Sequence, residues 1–108
     1  MKPDKVVFFD EELEKSFNEL SDKDPVKRGI IRAIKFIQED FSCGRNVKKE
    51  LIPKELIQKY GLTNLWIYDL PNRWRLLYFV TSSGEIEIIA AILDWMNHKD
   101  YEKLFKFT

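Results

Sequence analysis

The sequence has very little cysteine and histidine, the residue types that build many metal and redox sites. Its 108 residues include one cysteine, Cys43, and one histidine, His98. A single thiol excludes an internal disulfide and indicates a reducing compartment. One histidine and one distant cysteine do not make a zinc-binding set, and no Gly-rich phosphate loop is present. We therefore expect neither a metal nor a cofactor.

Long hydrophobic runs are also missing. The longest apolar stretch runs from Ile88 to Leu93, far short of the roughly 20 residues of a membrane span. The first residues lack the apolar segment of a signal peptide. These absences predict a cytoplasmic protein with no membrane anchor. The length suits a single domain, residues 1–108, that can bury a core without disulfides.

The chain has no net charge, but its charges are unevenly distributed. Basic and acidic residues number 18 each, and the net charge is −4 over residues 1–25, +6 over 26–75 and −2 over 76–108. A basic middle segment is typical of a surface that binds nucleic acid. A solvated surface of mixed charges is the alternative, and the distribution alone does not decide between them.

The hydrophobic pattern predicts an α+β fold. Asp10 and Asp24-Pro25 are helix starts, Gly61 is a helix end, and the period shortens to two after residue 64. We expect an N-terminal strand, a helical hairpin packed on a mainly antiparallel sheet of about four strands, and a short C-terminal helix. The predicted strands are Val6–Phe9, Leu65–Leu70, Arg73–Thr81 and Glu85–Trp95, with turns at Pro71-Asn72 and Ser82-Ser83-Gly84, and the predicted helices are 11–20, a second from Pro25, 53–60 and 97–106.

Arg75 is unusual because it lies inside an apolar strand. Strand alternation predicts that Arg73 and Arg75 share one face, with Trp74, Leu76 and Tyr78 on the other. A pair of arginines on the face away from the helices suits an open, concave surface that binds phosphate. A surface ion pair is the alternative for an isolated strand arginine.

His98 and Tyr101 form the second feature of interest. They are three residues apart, so on a helix they share a face. Histidine is the usual proton shuttle at neutral pH. A helix cap or a packed side chain is the alternative for His98, and a small helix-end residue is the alternative to a nucleophile for Cys43.

Two segments give the chain a resemblance to a known family. The segment Leu65-Trp66-Ile67-Tyr68-Asp69-Leu70, a short turn and Trp74-Arg75-Leu76-Leu77-Tyr78 resembles the central hairpin of the RelE/ParE toxin superfamily. The terminal His98-Lys99-Asp100-Tyr101 is similar to the His-x-x-Tyr segment of one RelE-like branch. The resemblance implies a toxin of a type II toxin–antitoxin system. Many members of the RelE branch cut messenger RNA on the ribosome without a metal.

The resemblance also implies roles for particular residues. Arg75 would stabilise the phosphate, while His98 and Tyr101 would act as acid and base or orient the substrate. Arg73, Lys48, Lys49 and Lys54 would bind the RNA backbone. Glu50 and Glu55 are candidates for the general base only by their place in the basic segment.

Two other functions remain open within the same family. One is a ParE-type toxin that acts on gyrase or another protein and cuts nothing. The other is a non-toxic protein with a RelE fold that only binds an antitoxin-like partner. In each case the resemblance implies a cognate antitoxin with an acidic or disordered tail, whereas a homodimer is left undecided by the sequence.

Overall fold

The computed structural model describes residues 1–83 and 87–106, which form an α+β fold as predicted. The described residues contain a five-stranded sheet and four α-helices. The strands are β1 (Lys5–Phe8), β2 (Arg45–Asn46), β3 (Trp66–Asp69), β4 (Arg75–Ser83) and β5 (Glu87–Met96), and the helices are α1 (Glu11–Glu19), α2 (Pro25–Glu39), α3 (Lys54–Tyr60) and α4 (His98–Phe105).

The sheet is mixed rather than purely antiparallel. Its order is β1-β5-β4-β3-β2. β1 runs parallel to β5, with Lys5 opposite Ile89, and the other neighbouring strands are antiparallel. The fifth strand, β2, is only two residues long and pairs with β3 at the edge. The sequence pattern did not predict β2 because two residues show no alternation.

The helical hairpin covers one face of the sheet, and its starts are those that the sequence predicts. The Asp10 carboxylate accepts a hydrogen bond from the Leu13 N–H at 2.8 Å, and the Asp24 carboxylate accepts one from Val26 N–H at 2.8 Å. Ile30 and Ile37 of α2 are fully buried against the sheet. Burying each such side chain stabilises the fold by about 1.5–3 kcal/mol.

The opposite face of the sheet is also covered, so the expectation of an open, concave surface there is wrong. A second core of buried residues, Ile52, Leu62, Leu65, Leu77 and Leu93, contacts half-buried side chains of α3 and α4. α3 ends at Gly61, as predicted, with the left-handed backbone angle φ of 65° that favours glycine. A site on this face must therefore lie beside the helices, at the edge of the covering layer.

The face assignment along β4 is correct for Arg75 and wrong for Arg73. Leu76 and Tyr78 pack in the α2-side core, while Leu77 packs on the α3 and α4 side. Arg73 belongs to a 3-10 turn, Pro71–Arg73, and has a left-handed φ of 63°. The turn includes Arg73, and Trp74 follows it outside the strand, so β4 begins at Arg75, two residues later than predicted. Arg73 is exposed and does not pair with Arg75 along a strand face.

The second predicted turn is only partly described. Ser82 and Ser83 belong to β4, where Ser83 lies opposite Glu87. Gly84, Glu85 and Ile86 lie outside the described residues. Among the described residues, no helix has the length and apolar composition needed to cross a membrane.

Tyr78 connects the segment that follows α2 to the sheet. Its hydroxyl donates a hydrogen bond to the Phe41 carbonyl at 2.6 Å and accepts one from the Gly44 N–H at 3.1 Å. A Cβ added at Gly44 would lie 2.6 Å from the Tyr78 hydroxyl oxygen, so the approach requires glycine. This connection fixes the start of β2 and with it Arg45.

Candidate functional site

Arg75 begins β4 and lies largely buried beside α4. Its side chain is 16% exposed, and its Nη1 donates a hydrogen bond to the Trp74 carbonyl at 3.2 Å. The Nε lies 3.2 Å from Asp69 Oδ1 but forms no well-aligned hydrogen bond among the described residues. The contact with Asp69 is therefore an ion pair held by proximity.

Tyr101 lies directly against this guanidinium. The Arg75 Cζ is 5.3 Å from the centre of the Tyr101 ring, which is a cation–π contact. The Tyr101 ring also packs on the Phe105 ring, with centroids 4.8 Å apart, and only 6% of the residue is exposed. Packing on both sides fixes the position of the ring.

His98 completes the cluster from the first turn of α4. Asn97 caps that helix by accepting a hydrogen bond from the Asp100 N–H at 2.8 Å. The imidazole centre lies 6.5 Å from the Tyr101 ring, and its Nε2 contacts the Glu102 carboxylate one turn further on. Its Nδ1 is buried with no hydrogen-bond partner among the described residues. The structure thus brings Arg75, His98 and Tyr101 together.

Arg45 is a member of the cluster that the sequence interpretation missed. Its Nη2 donates a hydrogen bond to Asp69 Oδ1 at 2.8 Å, so one carboxylate contacts both Arg45 and Arg75. Burial lowers the pKa of Arg45, but the hydrogen-bonded Asp69 carboxylate, with further help from Tyr101, raises it by more. Asp69 and Arg75 are register partners across the β3–β4 turn. Their positions on either side of that turn could have predicted the ion pair between them from the sequence. Arg45 could not have been predicted in this way, because it lies in a distant segment.

A cleft beside Tyr101 connects the cluster to the basic middle segment. It has a volume of about 200 Å³ and is lined by Arg45, Asn46, Val47, Lys48, Leu51, Ile67, Tyr101 and Phe105. Of the lysines predicted to bind RNA, Lys48 is in this lining, whereas Lys49 and Lys54 are exposed elsewhere on the same segment. The cleft therefore presents a guanidinium, an ammonium and two aromatic rings.

The two glutamates that the sequence offered as general bases are not part of the cluster. Glu50 is exposed and is not in the lining of the cleft. Glu55 instead lines a separate groove of about 630 Å³ between α3 and α4. The carboxylate beside His98 is Glu102, which the sequence interpretation did not single out.

Asp94 is the acidic group with the most altered environment in that larger groove. Although Asp94 is exposed, desolvation by the surrounding protein raises the pKa of its carboxyl group. The hydrogen bond from the Trp95 N–H and the positive charge of Lys59 lower that pKa, but by less. Most residues that line the groove are apolar, and they include Leu77 and Leu93 of the second core. Its lining has two cations, Lys59 and Lys103, but also three acidic residues, whereas the described lining of the smaller cleft has two cations and no acidic residue.

The arrangement in the smaller cleft suits binding of a phosphodiester. Arg45 has 57% of its side chain exposed and is the accessible guanidinium, whereas Arg75 is mostly covered and holds Tyr101 and Asp69 in place. Positive groups beside aromatic rings bind single-stranded nucleic acid by contacting phosphates and stacking on bases. Among the described residues, no group of three or more His, Cys, Asp or Glu side chains is placed to hold a metal ion.

Comparison with known proteins returns no match for this chain, whether to family models, to curated proteins or to solved structures.

Proposed function

We propose that this chain is a toxin of a type II toxin–antitoxin system, of the RelE/ParE kind, that cuts messenger RNA on the ribosome without a metal. The observation that carries the proposal is that Tyr101, which lines the basic cleft, neighbours both Arg75 and His98. Arg75 comes from β4, whereas His98 and Tyr101 come from α4. The same three residues were selected from the sequence resemblance, without any structural information.

The chemistry requires a base, an acid and positive charge at the phosphate. The ribose 2′-hydroxyl attacks the adjacent phosphorus, the base takes its proton, and the leaving 5′-oxygen receives a proton from the acid. The products are a 2′,3′-cyclic phosphate and a free 5′-hydroxyl. Arg45 and Lys48 supply charge for the phosphate oxygens. His98 and Tyr101 are the two groups that transfer protons, and Arg75 positions the tyrosine.

A growth and translation assay in bacterial cells tests the proposal. Induced wild-type protein is expected to stop translation and to leave new 5′ ends within translated messages, mapped by primer extension. Arg75→Ala, His98→Ala and Tyr101→Phe are expected to reduce cutting at least tenfold. Lys23→Ala serves as the matched control because Lys23 is exposed in the α1–α2 turn, away from the cleft. Full toxicity of the Arg75→Ala and His98→Ala variants would falsify the nuclease mechanism.

A second candidate function has one specific observation in its favour. Arg75 is 16% exposed and paired with Asp69, which is also what a purely structural ion pair looks like. In that case the chain would be a ParE-type toxin that acts on gyrase or another protein, or a non-toxic protein that only binds an antitoxin-like partner. Intact transcripts together with DNA damage in expressing cells would support the first of these. Harmless overexpression would support the second.

The proposal includes a cytoplasmic location and a cognate antitoxin. Residues 26–75 carry a net charge of +6, which an acidic, disordered antitoxin tail would complement. A small neighbouring reading frame with an acidic C-terminal segment is therefore expected. Co-expression of that partner should restore growth, and failure of every neighbouring product to do so would count against this part of the proposal.

A further inference from the structure

The two helices on the first face of the sheet carry opposite charges towards solvent. α1 has four acidic residues, Glu11, Glu12, Glu14 and Glu19, and one basic residue, Lys15. α2 has four basic residues, Lys27, Arg28, Arg32 and Lys35, and one acidic residue, Glu39. Lys27 is buried and paired with Asp22, and the other nine side chains are exposed. An acidic helix thus lies next to a basic one.

The basic residues of α2 form one continuous stripe. Arg28, Arg32 and Lys35 follow each other at spacings of four and three residues, so they lie along one side of the helix. That side is opposite the buried Ile30 and Ile37. Among the described residues, no salt bridge engages any of the three, although Arg28 Nε donates a hydrogen bond to the Asp22 carbonyl at 3.2 Å.

Apolar side chains flank this stripe. Ile31 is 44% exposed and Phe36 is 46% exposed, and they lie on either side of the line formed by the three cations. The Phe36 ring stacks on Tyr68, with centroids 6.5 Å apart, so it is held in place on the surface. Cations mixed with fixed apolar groups are typical of an interface.

A nucleic acid fits this face poorly. The exposed glutamates of α1 lie on the same side of the sheet and repel phosphates that approach α2. A second copy of the chain fits better because it brings both a basic and an acidic helix. The equal totals of 18 basic and 18 acidic residues leave no net repulsion between two copies.

We propose that the α1–α2 face is a homodimer interface. A two-fold axis running along the helices, between them, places the acidic helix α1 of each copy over the basic helix α2 of the other. The interface lies on the opposite side of the sheet from Arg75 and Tyr101, so dimerisation leaves the cleft open. This inference does not depend on the nuclease proposal.

A pair of charge-reversed variants tests the interface. One carries Arg28→Glu and Arg32→Glu, and the other carries Glu14→Lys and Glu19→Lys. Each variant alone brings like charges together, so its dimer dissociation constant should rise at least about tenfold. Mixing the two restores opposite charges at both contacts, and the mixture is expected to form a heterodimer. Lys49→Glu with Lys54→Glu is the control, because it makes the same charge change away from this face.

The measurement is the mass in solution by analytical ultracentrifugation at about 100 µM, where a dimer of micromolar affinity is populated. Wild type and control should be dimers at low salt and dissociate in about 0.5 M salt, where screening is strong. Circular dichroism checks that each variant is folded. A monomeric wild type, or a mixture of folded variants that stays monomeric, would overturn the proposal. If the wild type is a monomer and the variant with Arg28→Glu and Arg32→Glu binds a labelled RNA less tightly than the wild type does, the face binds nucleic acid instead.

Discussion

The guanidinium of Arg75 lies over the ring of Tyr101, with Cζ 5.3 Å from the ring centre. Asp69 contacts the same guanidinium, and Phe105 packs against the same ring. The tyrosine is therefore held by a chain of contacts that runs from the end of β3 through β4 to α4. We therefore expect a change at any one of these residues to shift the Tyr101 hydroxyl.

Two substitutions of Tyr101 should separate its packing from its chemistry. Tyr101→Phe keeps the ring over Arg75, so the free energy of unfolding should change by about 1 kcal/mol or less. Tyr101→Ala removes a ring that is 6% exposed and should cost about 3–5 kcal/mol. Urea denaturation followed by circular dichroism measures both. If Tyr101→Phe retains full RNA cleavage while remaining stable, the hydroxyl has no part in proton transfer.

Asp69→Asn should strengthen RNA binding. The carboxylate contacts Arg45 at 2.8 Å and Arg75 at 3.2 Å, so its loss removes the negative partner of both cations, of which Arg45 lines the cleft. Because Asp69 is 61% exposed, the cost in stability should be only about 1 kcal/mol. Fluorescence anisotropy with a labelled single-stranded RNA should show tighter binding and a steeper dependence on salt.

Glu50→Gln is the control for this experiment. It removes the same charge from an exposed position outside the cluster, so it should leave the affinity nearly unchanged. Equal gains in affinity for the Asp69 and Glu50 variants would mean that only the overall charge matters. The cleft would then have no particular role in binding RNA.

Tyr78→Phe should destabilise the fold without altering the cleft directly. It leaves the Phe41 carbonyl and the Gly44 N–H without the hydroxyl that joins them, which should cost about 1–3 kcal/mol. Tyr68→Phe is the matched control, because its hydroxyl makes no hydrogen bond among the described residues. Thermal denaturation compares the two. Equal melting temperatures for the two variants would show that the connection through Tyr78 contributes nothing.

The same tyrosine should make stability depend on pH in the alkaline range. Burial, together with the nearby Cys43 thiol, raises the pKa of Tyr78 above its ordinary value of 10.0. The folded state thus favours the neutral phenol, and this contribution is complete below pH 10.0 and is lost as the pH rises above it. The melting temperature of wild type should fall between about pH 10 and 11 more steeply than that of Tyr78→Phe. Parallel curves would contradict the assignment.

Local patterns predicted the elements that depend on local physics. The alternation on β4 separated Arg75 from Leu76 and Tyr78 because each successive strand residue points to the other face. Asp10 and Asp24 marked helix starts because their carboxylates bond nearby backbone N–H groups. The approach of His98 to Tyr101 followed from their spacing on one helix.

Features that depend on distant segments could not be predicted in this way. The positions of α3 and α4 over the second face are set by a core that collects residues from several segments, so the covering of Arg75 was missed. Arg45 reaches Asp69 only because β2 joins the edge of the sheet, and two residues carry no pattern. Arg73 was misplaced because a left-handed turn used a residue that alternation assigned to the strand.

The parallel pairing of β1 with β5 also has a consequence for synthesis. The hydrogen bond from the Ile88 N–H to Asp4 joins residues 84 positions apart. β5 separates β1 from the other three strands, so β1 has no strand to pair with until residues 87–96 have left the ribosome. α4, which carries His98 and Tyr101, emerges only after that. The cluster is therefore completed only after all five strands have been synthesised, and a nascent chain truncated before residue 98 has the arginines but lacks His98 and Tyr101.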